Sequence, residues 1–501
     1  MLTNVLEYLE NSARLYPDKT AFEDEKESLS YLQLQNIAQS IGTAVSSVNL
    51  KNEPVIVYLE KSVRCIAAFM GIVYSGNFYC PIDITMPEDR IKVIMDTACA
   101  SVVITDRDYL DFMKDIIPNG KVLCYEEIIS TEINSEKLLD IRSCHYDMEP
   151  LYVLFTSGST GVPKGVVISH QSVIEYTEWV AATFDISDKD SFGNQAPFYF
   201  DNSILDIYTG LKTGATVYII PKTCFSFPAK LIEYLNEKEI TTIFFVPSAL
   251  CNIARMRVLN KLTINTVRKI LFCGEVMPNK YLNIWRKYHP NALYANLYGP
   301  TEITDVCSYY IVDREFADDE SLPIGKACAN TNIIVLNEKD ELAKIGEEGE
   351  LCVRGRSLSL GYYRNKEKSD QVFVQNPTND RYRDLIYRTG DIVYINEKNE
   401  IIYLCRKDFQ IKHMGHRIEL GEIETAAGSV SGIETYACVY DSEKEKIVFV
   451  YSGQEIEVKD FKEKLSAKIP SYMIPDRYVR IDKFPYNMNG KIDRKKLLDF
   501  I

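Results

Sequence analysis

Residues 156–165, Thr-Ser-Gly-Ser-Thr-Gly-Val-Pro-Lys-Gly, gather four hydroxyls, three glycines and a lysine into ten positions. Small residues let successive main-chain N–H groups turn toward one point, hydroxyls add donors, and Lys164 adds positive charge. That combination makes a nest for an anion and suits a polyphosphate. It is not a Walker loop, because Gly165 follows Lys164 where that loop needs Ser or Thr. A Ser/Gly surface turn would use the same residue types, but the lysine and the apolar run LYVLF just before it (151–155) favour the anion site.

Other polar residues have two readings each. Asp201, in FDNS before SILDIY, is either a helix N-cap or a pocket carboxylate that needs a cationic partner. Glu302 follows a Gly-Pro turn, and Asp391 sits in a TGD stretch that reads as a turn. Lys491 belongs to a basic run with Arg494, Lys495 and Lys496, which alone reads as a solvated tail. An ammonium of ordinary pKa near 10.4 is charged at neutral pH and could offset repulsion between two reacting anions.

The elements that must position these groups are legible as short β-rich runs: PVIVYLE (54–60), SVVITD (101–106), LYVLFTS (151–157), ATVYII (215–220), TTIFFVP (241–247) and KILFCG (269–274). Helical stretches such as PAKLIEYLNEKEI (228–240) alternate with them, which predicts α/β architecture with largely parallel sheets. Beyond about residue 330, closely spaced strands with charged turns, as in 392–408, predict antiparallel hairpins. From about Phe409 a smaller α+β unit follows: helix EIETAAGSV, strands TYACVY and KIVFVY, and a helix near 457–468. The expected fold class is mixed α/β and α+β.

The chain has 501 residues and a formal net charge of −14, against a role in coating nucleic acid or anionic membrane. The apolar run 65–74 is about half the roughly 20 residues a membrane span needs. No basic-then-apolar leader opens the sequence, so a cytoplasmic location is expected. Thirteen cysteines without a CxxC pair, and five histidines, read as reduced buried thiols and not as disulfides or zinc.

The 156–165 loop continues in register into FDNS (200–203), NLYGPTE (296–302), GELCVRG with GYY (349–363), YRTGD (387–391), CRKDFQIKHMGHRIELGEIE (405–424) and NGKIDR (489–494). This series resembles the adenylate-forming superfamily: acyl-CoA synthetases, luciferases and nonribosomal peptide synthetase adenylation domains. NQAPFYFD (194–201) and LFCGEVMP (271–278) resemble the stand-alone D-alanine–carrier protein ligases in particular. The resemblance implies an N-terminal core over 1–407, with a β-rich subdomain, and a mobile C-terminal domain over 408–501, hinged at Asp408. It also implies ATP and magnesium.

By the same resemblance, Thr156, Ser157, Gly158, Ser159, Thr160, Gly161 and Lys164 hold phosphates, and Glu302 with Thr156 places magnesium. Tyr298 offers a π-face to adenine and Asp391 binds the ribose. Arg406 adds a contact near ribose or α-phosphate. Gly274, Glu275, Asn296, Gly299 and Thr301 complete the nucleotide site. Lys491, Glu302 and Thr156 form the catalytic set, with Lys491 bridging the attacking carboxylate and the α-phosphate. After adenylation the C-terminal domain would rotate, withdrawing Lys491 and presenting the loop around Gly415 to a thiol.

Asp201 matches the aspartate that pairs a substrate α-ammonium. Asn202, Leu205, Phe244, Leu271, Cys273, Leu297, Asp305 and Val306 would surround the substrate side chain. Phe and several Leu leave room for a small amino acid, and Cys273 favours D-alanine. Asp305 departs from that pattern and admits a side chain with an amine or hydroxyl. The expected function is activation of a small amino acid and its transfer to the phosphopantetheine thiol of a separate carrier protein. The chain has no GGxS carrier motif of its own. A monomer without nucleic acid or membrane insertion is expected. An acyl- or aryl-CoA ligase and a non-catalytic nucleotide-binding regulator are the competing readings.

Overall fold

The computed structural model describes residues 2–158, 162–428, 433–442, 444–486 and 492–501. Its contacts divide the chain into two units. One comprises residues up to Asp83, Cys99–Leu154 and Gly165–Cys405; the other comprises Ile84–Ala98, Phe155–Lys164 and Arg406–Ile501. The chain thus changes unit between Cys405 and Arg406, and two earlier segments join the second unit, which the sequence did not foreshadow.

In the larger unit a nine-stranded sheet carries at its centre β1 (Ser191–Asn194), β2 (Thr242–Phe245), β3 (Lys269–Phe272) and β4 (Leu293–Tyr298), parallel neighbours in that order. Strand Ser308–Ile311 adds antiparallel to β4. Every residue of β2 is buried, because helices cover both faces of a parallel sheet, and so β2 reads as an unbroken apolar run. Two helices bear on the site: α1 (His170–Thr183) and α2 (Ser203–Thr213). A seven-stranded sheet includes Pro54–Tyr58, Phe78–Pro81, Val102–Thr105 and Pro150–Thr156. The apolar run at 65–74 is a buried core helix, Val63–Tyr74. The hairpins expected beyond 330 appear as a five-stranded sheet in which Leu385–Ile395 pairs with Glu348–Gly355 and with Ile401–Arg406.

The smaller unit packs helices Leu420–Ala427 and Val458–Ser466 on strands Ile433–Asp441, Lys446–Gly453 and Arg477–Arg480. Its core includes Ile418, Ile423, Cys438, Phe449, Phe461 and Leu465. All thirteen cysteines are free thiols and most are buried. No helix among the described residues is long and apolar enough to cross a membrane.

Candidate functional site

In the larger unit the site residues gather at the carboxyl ends of β1–β4. Asn194 on β1 lies opposite Phe244 on β2, Phe244 opposite Leu271 on β3, and Phe272 opposite Asn296 on β4. Cys273, Gly274 and Glu275 follow β3 directly. β4 ends in Leu297 and Tyr298, and Gly299, Thr301 and Glu302 come next. Loops that leave the carboxyl ends of parallel strands line the crevice where α/β sheets bind ligands.

Leu205, Phe244, Leu271, Cys273, Leu297 and Val306 belong to one buried cluster and are at most 2% exposed. Asp201 precedes α2, and its carboxylate accepts the Asn202 main-chain N–H at 3.0 Å. The N-cap of α2 is Asn202, which makes no side-chain cap bond, so the alternative of Asp201 as helix cap does not describe this helix. Asp305 is 1% exposed and accepts a hydrogen bond from the Tyr176 hydroxyl at 2.5 Å. Tyr176, on α1, was not singled out in the sequence; nothing in its local pattern distinguishes it from the other core aromatics.

On the nucleotide side, the Tyr298 hydroxyl donates to the Asp391 carboxylate, and both residues are buried. This joins the end of β4 to the strand Leu385–Ile395 and puts the ring and the carboxylate expected to read adenine and ribose in direct contact. Glu302 is fully buried and accepts from the Tyr362 hydroxyl at 2.7 Å. Glu275 accepts the Ser248 main-chain N–H at 2.9 Å, and the Asn296 amide donates to the Pro323 carbonyl at 2.9 Å. Thr301 opens a single 3-10 turn, Thr301–Ile303. A Cβ on Gly299 would stand 2.3 Å from the Asp305 carbonyl oxygen, so only glycine lets this turn fold back on itself.

In the smaller unit lie Thr156, Ser157, Gly158, Lys164, Arg406 and Asp408. Ser159, Thr160, Gly161 and Lys491 fall outside the described residues. The Ser157 hydroxyl donates to the Arg417 carbonyl at 2.8 Å, and Lys164 Nζ is 3.9 Å from Glu419 Oε1. The Gly158 main-chain N–H meets the Glu422 carboxylate, which burial pushes above the usual range against the pull of Arg90. Here a hydroxyl, a main-chain N–H and a lysine, the donors an anion nest needs, are engaged by oxygen acceptors of the protein. Thr156 Oγ1 donates to the Lys164 carbonyl at 3.5 Å. Arg406 donates twice to Asp408, at 2.7 and 2.8 Å. Burial works against the charge of Asp408, but Arg406 outweighs it and holds the carboxyl below its ordinary range.

Magnesium carried on a polyphosphate keeps water and phosphate ligands and takes few from protein. Glu302, a buried carboxylate of the larger unit, is one protein ligand of that kind. Among the described residues no group of three His, Cys, Asp or Glu side chains could hold a metal ion by itself.

The AMP-binding enzyme family matches residues 9–363. The chain belongs to that family, within the adenylate-forming superfamily that its motifs resemble. The D-alanine–D-alanyl carrier protein ligase of Bacillus cytotoxicus is 31% identical over 517 residues, covering 99% of each chain. Tyrocidine synthase 1 of Brevibacillus parabrevis is 30% identical over 500 residues, 99% of this chain, which spans 45% of that synthase. The Vibrio cholerae adenylation domain AlmE, solved with glycyl-adenosine-5'-phosphate, shares the fold with a TM-score of 0.85 at 21% identity, covering 100% of this chain and 98% of its own.

Proposed function

We propose that this chain is an amino acid–carrier protein ligase. It joins a small amino acid to ATP as aminoacyl-AMP, releasing pyrophosphate, and passes the acyl group to the phosphopantetheine thiol of a separate carrier protein. The observation that carries the reading is Asp201, a carboxylate just before α2, whose Leu205 belongs to the buried cluster; its pairing with a substrate α-ammonium is part of the proposal. Likeness over nearly its whole length to carrier protein ligases supports the transfer step.

The amino acid carboxylate attacks the α-phosphorus, the bond to the β-phosphate oxygen breaks, and pyrophosphate leaves. Tyr298 and Asp391 orient the nucleoside, the 156–165 loop neutralises the departing phosphates, and Lys491 stabilises the charge building between carboxylate and α-phosphate. Glu302 and Thr156 would each serve as a magnesium ligand, and the ion would supply further positive charge to the phosphates. Cys273 and the likeness to the ligases support D-alanine as a candidate substrate, and Asp305 leaves room for an amino acid whose side chain carries an amine or hydroxyl.

Amino-acid-dependent ATP–pyrophosphate exchange tests the reading. D- and L-amino acids should support exchange, fatty and aryl acids should not, and Asp201→Ala should raise KM for the amino acid far more than for ATP. Exchange only with acids that lack an amine would assign the chain to the CoA ligases instead.

A further inference from the structure

The segment between β1 and α2 carries Asp201, the carboxylate on which the amino acid reading rests. Its second half is a run of tight turns. The Phe200 N–H donates to the Pro197 carbonyl at 3.1 Å, the Ser203 N–H to the Phe200 carbonyl at 3.2 Å, and the Ile204 N–H to the Asp201 carbonyl at 2.8 Å. Asp201 is thus joined by main-chain hydrogen bonds to the first turn of α2. Its first half is gripped from elsewhere, by a side chain between strand Pro54–Tyr58 and helix Val63–Tyr74.

That side chain is Lys61. Its ammonium donates to the Gln195 carbonyl at 3.0 Å and to the Asn194 carbonyl at 3.5 Å, and stands 5.4 Å from the centre of the Phe198 ring. The Phe198 ring meets Phe69 of helix Val63–Tyr74 edge-on, with 6.0 Å between centres. The Gln195 side-chain oxygen accepts the Val246 N–H at 3.0 Å, which ties the same loop to the end of β2. On its other side the Asn194 amide donates to Asp206 of α2 at 2.8 Å, and both residues are fully buried.

Carbonyls at the end of a parallel strand need donors in any fold, and a lysine can supply them without reference to a ligand. The contacts of Lys61, however, fall on 194, 195 and 198, all within the seven positions before Asp201. A carboxylate that pairs with an ammonium tolerates little displacement. Resting on the amino acid ligase reading above, we infer that Lys61 is a positioning residue for substrate recognition: it fixes the 195–201 loop so that Asp201 is held where the substrate α-ammonium binds. Lys61 acts through the loop and not on the substrate. Tyr298 and Asp391, expected to read the nucleoside, lie on other elements, so its removal bears on the amino acid and not on ATP.

The test is ATP–pyrophosphate exchange by the full chain with its best amino acid, with Tm read on each variant. Lys61→Met keeps the aliphatic stem and removes the ammonium; KM for the amino acid should rise about tenfold while KM for ATP and kcat stay within about twofold. In an Asp201→Ala background, Lys61→Met should change KM for the amino acid by less than about twofold, because the two residues act in series. Phe198→Leu removes the ring beside the ammonium and should give the same split at about threefold; it carries the test if Lys61→Met does not fold. Equal losses in both KM values and kcat, or effects of Lys61→Met and Asp201→Ala that simply multiply, would make Lys61 a structural residue and overturn the inference. Exchange by the unaltered chain only with acids that lack an amine would overturn the ligase reading, before any variant is compared, and this inference with it.

Discussion

Glu302 has no exposed surface and owes one defined contact to the Tyr362 hydroxyl, so the phenol supports the carboxylate on which the magnesium assignment depends. Tyr362→Phe leaves that carboxylate short of a donor. It should lower stability by about 1–3 kcal/mol, read from thermal or denaturant unfolding, and raise the magnesium concentration needed for half-maximal exchange. An unchanged unfolding curve would show that Glu302 is satisfied without Tyr362. NLYGPTE and the rest of the motif series were legible because each is a local run of residue types. Tyr176 was not, because its relation to Asp305 spans 129 positions of sequence and arises only when α1 packs against the turn after β4.

At the scale of elements, Lys61 fixes the end of β1. Its ammonium donates to the main-chain carbonyls of Gln195 at 3.0 Å and Asn194 at 3.5 Å, and the Asn194 side chain donates to Asp206 on α2 at 2.8 Å. β1 and α2 thus flank the 195–201 loop that ends in Asp201. Burial lowers the Lys61 pKa to about 7, with Asp206 opposing. It raises that of Asp206 to about 8, against the Asn194 hydrogen bond and Lys61. The Asp206 contribution to stability is full below its unfolded pKa, about 3.9, and is lost as pH rises through about 8. The Lys61 contribution has the opposite slope: burying its charge is unfavourable below about 7, and this is relieved as pH rises toward the unfolded value near 10.4. Together they should make stability fall between about pH 4 and 7 and recover above about 8. Asp206→Asn should flatten the acid-side fall in a plot of Tm against pH; a fall of the same slope in the variant would assign it to other groups. The strands themselves were readable from their apolar runs. The charged cluster under the loop was not, since Lys61 meets the end of β1 only across 133 positions of chain.

Across the whole molecule, the smaller unit contains the Arg90–Glu422 ion pair, 7% and 1% exposed. Removing one partner strands a buried charge. Arg90→Met should destabilise by about 3–5 kcal/mol, and adding Glu422→Leu should restore most of the loss, because two apolar side chains replace the pair without an orphan. A double variant no more stable than the single one would mean that the pair holds the backbone by more than charge. The proposed two-step cycle makes its own prediction. Lys491→Ala should lower kcat for adenylation by about 10²–10³-fold, with less effect on ATP binding, and spare transfer from preformed aminoacyl-AMP to the carrier. Equal loss in both half-reactions would contradict withdrawal of the lysine between them.

By itself the sequence determined the family and the mixed α/β class. It also determined the strands that carry the site, because period-two and apolar-run patterns and motif residues are properties of contiguous chain. The tertiary structure alone decided that Ile84–Ala98 and Phe155–Lys164 join the C-terminal segment in one unit, and that Asn202, not Asp201, caps α2. It alone gave Asp305 a tyrosine from a distant helix and left the Tyr152 hydroxyl without a partner among the described residues. These are pairings between groups far apart in the chain, set by how helices pack on sheet ends, and a buried polar atom's partners exist only once that packing has excluded water.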